Sequence, residues 1–148
     1  MSKTILFQLL NERAKMPSFG SPFAAAFDLY AALERPRLLQ PDGRALIPTG
    51  LVVAIPDDTV LLLFSRSGHG FKQGLRLSNC VGVIDPDYRG EVGVAITNDS
   101  DRCQEIVPGE RIAQGLLLSN ERPMFSVSTS DLPTTARGAG GWGHTGRL

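Results

Sequence analysis

The chain has two cysteines, two histidines and one tryptophan in 148 residues, and no excess of charge of either sign. Each shortage closes off a class of protein. Cys80 and Cys103 lack metal-ligand spacing, and two thiols cannot build the disulfide framework of a small secreted scaffold. They read as reduced thiols, Cys80 as a small core residue in an apolar run. His69 and His144 have no partner at ligand spacing, so neither nominates a metal site. Fifteen basic residues balance fifteen acidic ones at a pI near 6.7, which removes any general pull toward nucleic acid or anionic membrane. A polyanionic ligand would need locally placed charges. Apolar runs fall well short of the roughly 20 residues that span a bilayer, and MSKTILFQLLNERAK has no signal-peptide cleavage region. A soluble, cytoplasmic protein is expected, with neither nucleic acid nor membrane as partner. No Walker A loop and no Ser-His-Asp arrangement can be assembled.

What the chain has in abundance is punctuation: 16 glycines and 10 prolines. PDG at 41–43, PTG at 48–50, PDD at 56–58, DPDYRG at 85–90 and PGE at 108–110 separate short apolar runs. The runs predict strands over Thr4–Leu10, Ala24–Ala31, Arg44–Ile47, Leu51–Ile55, Thr59–Ser65, Leu75–Asn79, Val81–Ile84, Glu91–Thr97, Ile112–Leu118 and Phe125–Ser128. None has helical period over a useful length; Ser67–Gly74 has room for one short helix or turn. Short strands at such spacing indicate an all-β barrel or sandwich. Its length suits one domain able to bury about 70% of its unfolded surface. The composition changes after Val127, where aliphatics nearly vanish. We therefore expect a β-barrel body at 1–127, an arm at 128–136 and a flexible glycine-rich segment at 137–148.

Four stretches carry candidate chemistry. In CVGVIDPDYRGEVGVAIT, two β-branched runs flank a turn with Pro86 after Asp85, reading as a hairpin with Asp85, Asp87, Tyr88 and Arg89 at its tip. Gly90 would supply a backbone conformation that other residues avoid. Asp-Pro-Asp is good turn chemistry in its own right, yet Asp85 directly follows a buried-looking strand, where a partly desolvated carboxylate can act as general base. In LLLFSRSGHG, Arg66 and Ser67 follow a strongly apolar strand; a guanidinium, a hydroxyl and free N–H groups suit a phosphate, although a strand-ending Arg can equally snorkel to solvent. PGERIAQGLLL opens a core strand with Arg111 and Gln114. FAAAFDLYA buries Asp28 in an apolar strand, so it needs a partner, either structural (an Arg or backbone donors) or a hydrated metal.

In sequence order, AAFDLYA, SRSG, GVIDPDYRGE, PGERIAQ and RGAGGWGHTG resemble the five motifs of the trimeric deoxyuridine triphosphatase (dUTPase) family, over about residues 24–146. The resemblance implies a jelly-roll-like β-barrel of the β-clip type and a homotrimer with active sites shared between subunits. It implies Mg²⁺-assisted hydrolysis of dUTP to dUMP and pyrophosphate, which limits uracil in DNA and supplies dUMP for dTMP synthesis. Asp85 would be the general base. Tyr88 would lie under the deoxyribose and exclude a 2′-hydroxyl. Asn79, with the backbone of Gly82, Val83 and Ile84, would bond uracil. Arg66, Ser67, Gly68 and Gln114 would hold phosphates, and Asp28 would act through water on the metal or hold the arginines. No direct protein ligand to Mg²⁺ is implied. The glycine-rich end would become a lid: Trp142 stacking on uracil, Arg137 on the γ-phosphate, and Gly140, Gly141 and Thr145 around the phosphates. Three positions depart from the pattern: Ala26 stands for a usual Gly, Trp142 for a usual Phe, and Ser65 occupies a variable position. Two other readings compete: a dCTP deaminase-like enzyme, which would need a carboxylate against the cytosine amino group, and a nucleotide-sensing interaction module.

Overall fold

The computed structural model describes residues 3–146; Met1, Ser2, Arg147 and Leu148, which fall in the expected body and lid, lie outside them. Eleven strands follow in order: β1 Leu6–Leu9, β2 Ser18–Phe19, β3 Phe27–Tyr30, β4 Arg37–Leu39, β5 Arg44–Ala54, β6 Thr59–Phe64, β7 Leu75–Leu77, β8 Gly82–Ile84, β9 Glu91–Asn98, β10 Gln104–Ile106 and β11 Arg111–Ser119. All pair antiparallel, in a four-stranded sheet β1-β5-β9-β7, a five-stranded sheet β2-β3-β11-β6-β8 and a β4-β10 ribbon. The ladders do not close into one continuous barrel; the arrangement is jelly-roll-like. No helix among the described residues is long and apolar enough to cross a membrane.

The period-2 geometry of a strand explains the layers. TVLLLF in β6 alternates buried and half-buried positions along its length. Leu29, Leu51, Leu61, Leu77, Ile96 and Ile112, each 2% exposed or less, meet between the sheets. Each such side chain contributes about 1.5–3 kcal/mol by leaving water.

The PTG stretch does not end a strand as its composition suggests. β5 runs through it with a bulge between Pro48 and Val52, and Gly50 has φ +67°. Side chains of the sheet replace the missing ladder bonds: Thr49 Oγ1 donates to Val92 O at 2.5 Å, and Gly50 N donates to Glu91 Oε1 at 2.7 Å. The short strands β2, β4 and β10 were beyond the reach of pattern, being two or three residues long with mixed polarity. The permitted short helix is a single π-helical turn, His69–Gln73, closed by Gly74 at φ +69°. Phe125–Ser128, expected as a strand, pairs with no other strand, and Phe125 and Val127 are exposed. A ladder needs a second edge, and this segment meets none among the described residues.

Asn98 is the polar hub of the body. It is fully buried; Nδ2 donates to Leu39 O and Arg102 O at 3.0 and 2.7 Å, and Oδ1 accepts from Ser100 N and Oγ at 3.0 and 2.7 Å. All four hydrogen-bonding positions of the amide are thereby satisfied. Asn98→Ala should lower unfolding free energy by about 2–4 kcal/mol, read from the urea midpoint, because the buried Leu39 carbonyl loses its donor.

Candidate active site

Strand register brings the first group together. Asp28 on β3 lies opposite Gln114 on β11, which in turn lies opposite Phe64, two residues before Arg66. Asp28 is 4% exposed; Oδ1 is 3.3 Å from Arg66 Nε and 3.5 Å from Gln114 Nε2, and Oδ2 is 3.4 Å from Arg111 Nη1. Arg66 Nη1 also donates to Arg111 O at 3.1 Å. The Arg66 Nε contact is an ion pair by distance but is not aligned as a hydrogen bond, and that nitrogen has no other partner. Of the two partners open to Asp28, the arginine network is the one this geometry holds.

The loop beyond β6 exposes Ser67 and Gly68, and a Cβ added at Gly68 would meet nothing within 4 Å. His69 turns inward instead, its Nε2 3.0 Å from Glu110 Oε1. Burial of the ring holds its pKa below the ordinary value of 6.5; the Glu110 carboxylate opposes this and Arg66 adds to it. Ser65, at the variable position, accepts a 2.8 Å hydrogen bond from Leu77 N through its hydroxyl, joining β6 to β7.

The second group starts beside the first and leads away from it along β8. Gly82, Val83 and Ile84 form β8, paired to Leu63, Leu62 and Leu61. Gly82 is buried because a Cβ there would come 3.0 Å from the Leu63 side chain. Asn79 is exposed on a tight turn in which Val81 N donates to Asn79 O at 2.7 Å. Cys80 in that turn has φ +63° and is exposed, not a core residue, because the apolar strand has ended at Leu77; Cys103 is exposed as well.

The Asp85–Tyr88 turn forms as its sequence implies, with Tyr88 N donating to Asp85 O at 3.2 Å. It is not the tip of a simple hairpin, since β8 pairs with β6 while β9 pairs with β5 and β7. The turn carries the chain from one sheet to the other. Asp85 is exposed and Pro86 takes the buried position, so within one chain the carboxylate is not desolvated. Tyr88 folds back so that its hydroxyl donates to Glu91 O at 3.0 Å, beside a 430 Å³ cleft lined by Leu46, Pro48, Tyr88, Glu91 and Gly93. A Cβ on Gly90 would strike the Tyr88 ring. Glycine is needed there for space, since Gly90 is not among the residues with positive φ.

Asp85 and Arg66 stand apart, although Gly82, opposite Leu63, starts the second group at the Arg66 end. Antiparallel pairing carries Asp85 past Leu61 while β6 runs the other way through Phe64 to Arg66. Strand rise puts on the order of 15–20 Å between them. The third group is farther out. From Ser128 to Gly146 hydrogen bonds run between sequence neighbours: Arg137 Nε to Gly140 O at 2.8 Å, Gly138 N to Thr135 O at 3.1 Å, His144 N to Gly141 O at 3.1 Å. Trp142 is fully exposed, Gly141 and Thr145 are exposed, and Gly140 is half-buried under His144. An apolar cleft of about 590 Å³, floored by Phe7, Phe19, Phe27 and Leu117, shares no residue with any of the three groups.

The dUTPase family model matches residues 12–146, taking in all three groups. The chain belongs to the dUTPase family. Among curated dUTPases, it is 43% identical over 141 residues to the deoxyuridine 5'-triphosphate nucleotidohydrolase of Chlamydia pneumoniae, covering 95% of this chain and 97% of the relative. It is 39% identical over 144 residues to that of Photorhabdus laumondii, covering 97% and 94%. Its fold is similar to that of the Staphylococcus bacteriophage 80alpha dUTPase with dUPNHPP, at TM-score 0.88 and 29% identity over 97% of this chain and 98% of that one.

Sequence reading named Arg111 but missed what Glu110 and Glu91 do, since their partners lie across the fold. Removing the charge that the dUTPase arginines share gives a test. Asp28→Asn should cost about 1–3 kcal/mol in a urea titration, less than a fully buried pair would, because Arg111 is half exposed.

Proposed function

We propose that Asp85 activates the attacking water in the hydrolysis of dUTP to dUMP, an activity the chain has with its family, at a site completed by other copies of the chain. The observation that carries this reading is the separation of Asp85 from Arg66. A general base must reach the water at the α-phosphate within hydrogen-bonding distance, and the phosphate donors must touch the same triphosphate. One chain holds the two sets at opposite ends of the β6–β8 pair; a homotrimer juxtaposes the base from one subunit with the phosphate donors from the next.

In that site Asp85 takes a proton from water as its oxygen bonds to the α-phosphorus. The bridging P–O bond breaks, and pyrophosphate leaves with the electron pair. An exposed aspartate suits a base for water. Asn79 and the backbone of Gly82, Val83 and Ile84 offer donors and acceptors to the uracil edge, and a cytosine would leave buried groups unpaired. Tyr88, held by its bond to Glu91 O, closes the space a 2′-hydroxyl would need.

Arg66, Ser67, Gly68 and Gln114 bind the α- and β-phosphates, with Asp28 holding Arg66 in place. When bound, Mg²⁺ supplies charge neutralisation and a fixed triphosphate pose, carried by phosphates and water. Asp28, with its oxygens already engaged by Arg66, Arg111 and Gln114, suits a metal that arrives with the nucleotide. The arm at 128–136 carries the lid at 137–148 to a neighbouring site. There Trp142 covers the uracil, Arg137 reaches the γ-phosphate, and Gly140, Gly141 and Thr145 line the phosphates.

Asp85→Asn should reduce kcat by about 10²–10⁴-fold in a pyrophosphate-release assay with dUTP, while calorimetry shows dUPNHPP binding retained. Full turnover in that variant would refute the assignment of the base. Deleting residues 137–148 should leave a folded trimer by light scattering that barely hydrolyses dUTP. In the intact chain, Trp142 fluorescence should change on adding dUPNHPP, and an unaltered signal would remove the lid.

A further inference from the structure

His69 is a buried titratable side chain that none of the roles above uses. It is 6% exposed, belongs to the turn that follows Ser67 and Gly68, and bonds to Glu110 at 3.0 Å. Glu110 is itself fixed: its Oε2 accepts from Val107 N at 2.8 Å, its backbone N donates to Val107 O at 3.1 Å, and its carbonyl accepts from Ala31 N at 2.8 Å. One residue later, Arg111 offers its carbonyl to Arg66 and its guanidinium to Asp28.

The loop after β6 is therefore tied to the start of β11 at two points, Arg66 at one end and His69 at the other. Between them, Ser67 and Gly68 are exposed, and Gly68 has open space around it. The Gly70 N to Arg66 O bond of 3.0 Å closes the turn, and Ser65, anchored by Leu77 N, precedes it. An aliphatic side chain at 69 could fill the same buried space but could not reach Glu110 with a donor.

We propose that His69 is a positioning residue for the triphosphate: its bond to Glu110 sets where Ser67 and Gly68 present their donors. The inference rests on the phosphate role given to Arg66, Ser67 and Gly68 above. Binding donors that are held in place before the ligand arrives lose less conformational freedom on binding, so loosening one end of the loop weakens contacts to phosphate and leaves contacts to the nucleoside unchanged. The charged groups facing the imidazole are Glu110 from the turn before β11, Arg66 from its own loop, and Arg76 of β7, which shares the small void beside the ring and is itself paired with Asp99.

The test compares His69→Leu, His69→Gln and Ser67→Ala in the full chain, by calorimetric binding of dUPNHPP and by inhibition with deoxyuridine, which carries no phosphate. His69→Leu is expected to weaken dUPNHPP about tenfold or more, with the deoxyuridine inhibition constant within about twofold of the unsubstituted enzyme. His69→Gln keeps an N–H that can reach Glu110 and is expected to hold dUPNHPP within about threefold. Ser67→Ala is expected to weaken dUPNHPP as well. Undiminished dUPNHPP affinity in His69→Leu, with Ser67→Ala impaired, overturns the positioning role alone. Undiminished affinity in both overturns the phosphate role of the loop and this inference with it. Equal losses toward dUPNHPP and deoxyuridine also overturn it, since they signal general damage. If His69→Leu does not fold, His69→Asn, too short to reach Glu110, replaces it against His69→Gln, and equal affinity in those two overturns the proposal.

Discussion

The carboxylate of Asp28 is the constraint on which the site end of the molecule depends. A carboxylate inside an apolar strand is tolerable only if charge and hydrogen bonds meet it there. Arg66, Arg111 and Gln114 do so from two elements, and in doing so they join the end of β6 to the start of β11. Arg66 is consequently aimed along the sheet rather than into solvent. The same pair of elements is joined again by His69 and Glu110, so the exposed Ser67–Gly68 step hangs between two fixed points. A flexible-looking SGHG stretch thus acquires a defined place without a helix or strand of its own.

The other end of the β6–β8 pair obeys a different constraint, that of space. Gly82 allows β8 to approach Leu63, and Gly90 allows the Tyr88 ring to fold back over the chain. The turn between them passes from one sheet to the other, which leaves Asp85 at a rim, facing away from the core of its own subunit. An aspartate exposed at a rim, with the proposed phosphate donors at the opposite end of the strand pair, fits an enzyme whose proposed sites lie between subunits. It also gives a physical reason for the proposed arm and lid to have almost no aliphatic residues. A segment that buried itself against its own body would be unavailable to a neighbour.

Much of this was legible in the residues. The apolar run TVLLLF, the Asp85-Pro86-Asp87-Tyr88 turn and the lone acid in FAAAFDLYA each correspond to a feature of the fold. The failures have definite causes. PTG looked like a strand end because Pro and Gly break ladders, but Thr49 and Glu91 supply the missing bonds from side chains and the strand continues. Cys80 looked buried because its neighbours are apolar, but two tight turns around it face outward. The hairpin reading of GVIDPDYRGEVGV assumed that adjacent runs pair with each other, whereas β8 pairs with β6 and β9 with β5 and β7.

By itself the sequence determined what is local: strand periods, turn chemistry, the excess of glycine at the end, and the motifs that mark the family. These are set by neighbours a few residues apart, through backbone sterics and side-chain polarity, and can be read without a partner. Only the tertiary structure decided which distant groups meet. Asp28 joins Arg66 and Arg111, His69 joins Glu110, Asn98 joins Leu39, and Asp85 is kept far from Arg66. Those pairings depend on sheet order and on a register in which a one-residue slip would turn each side chain to the opposite face, and no local rule contains that information.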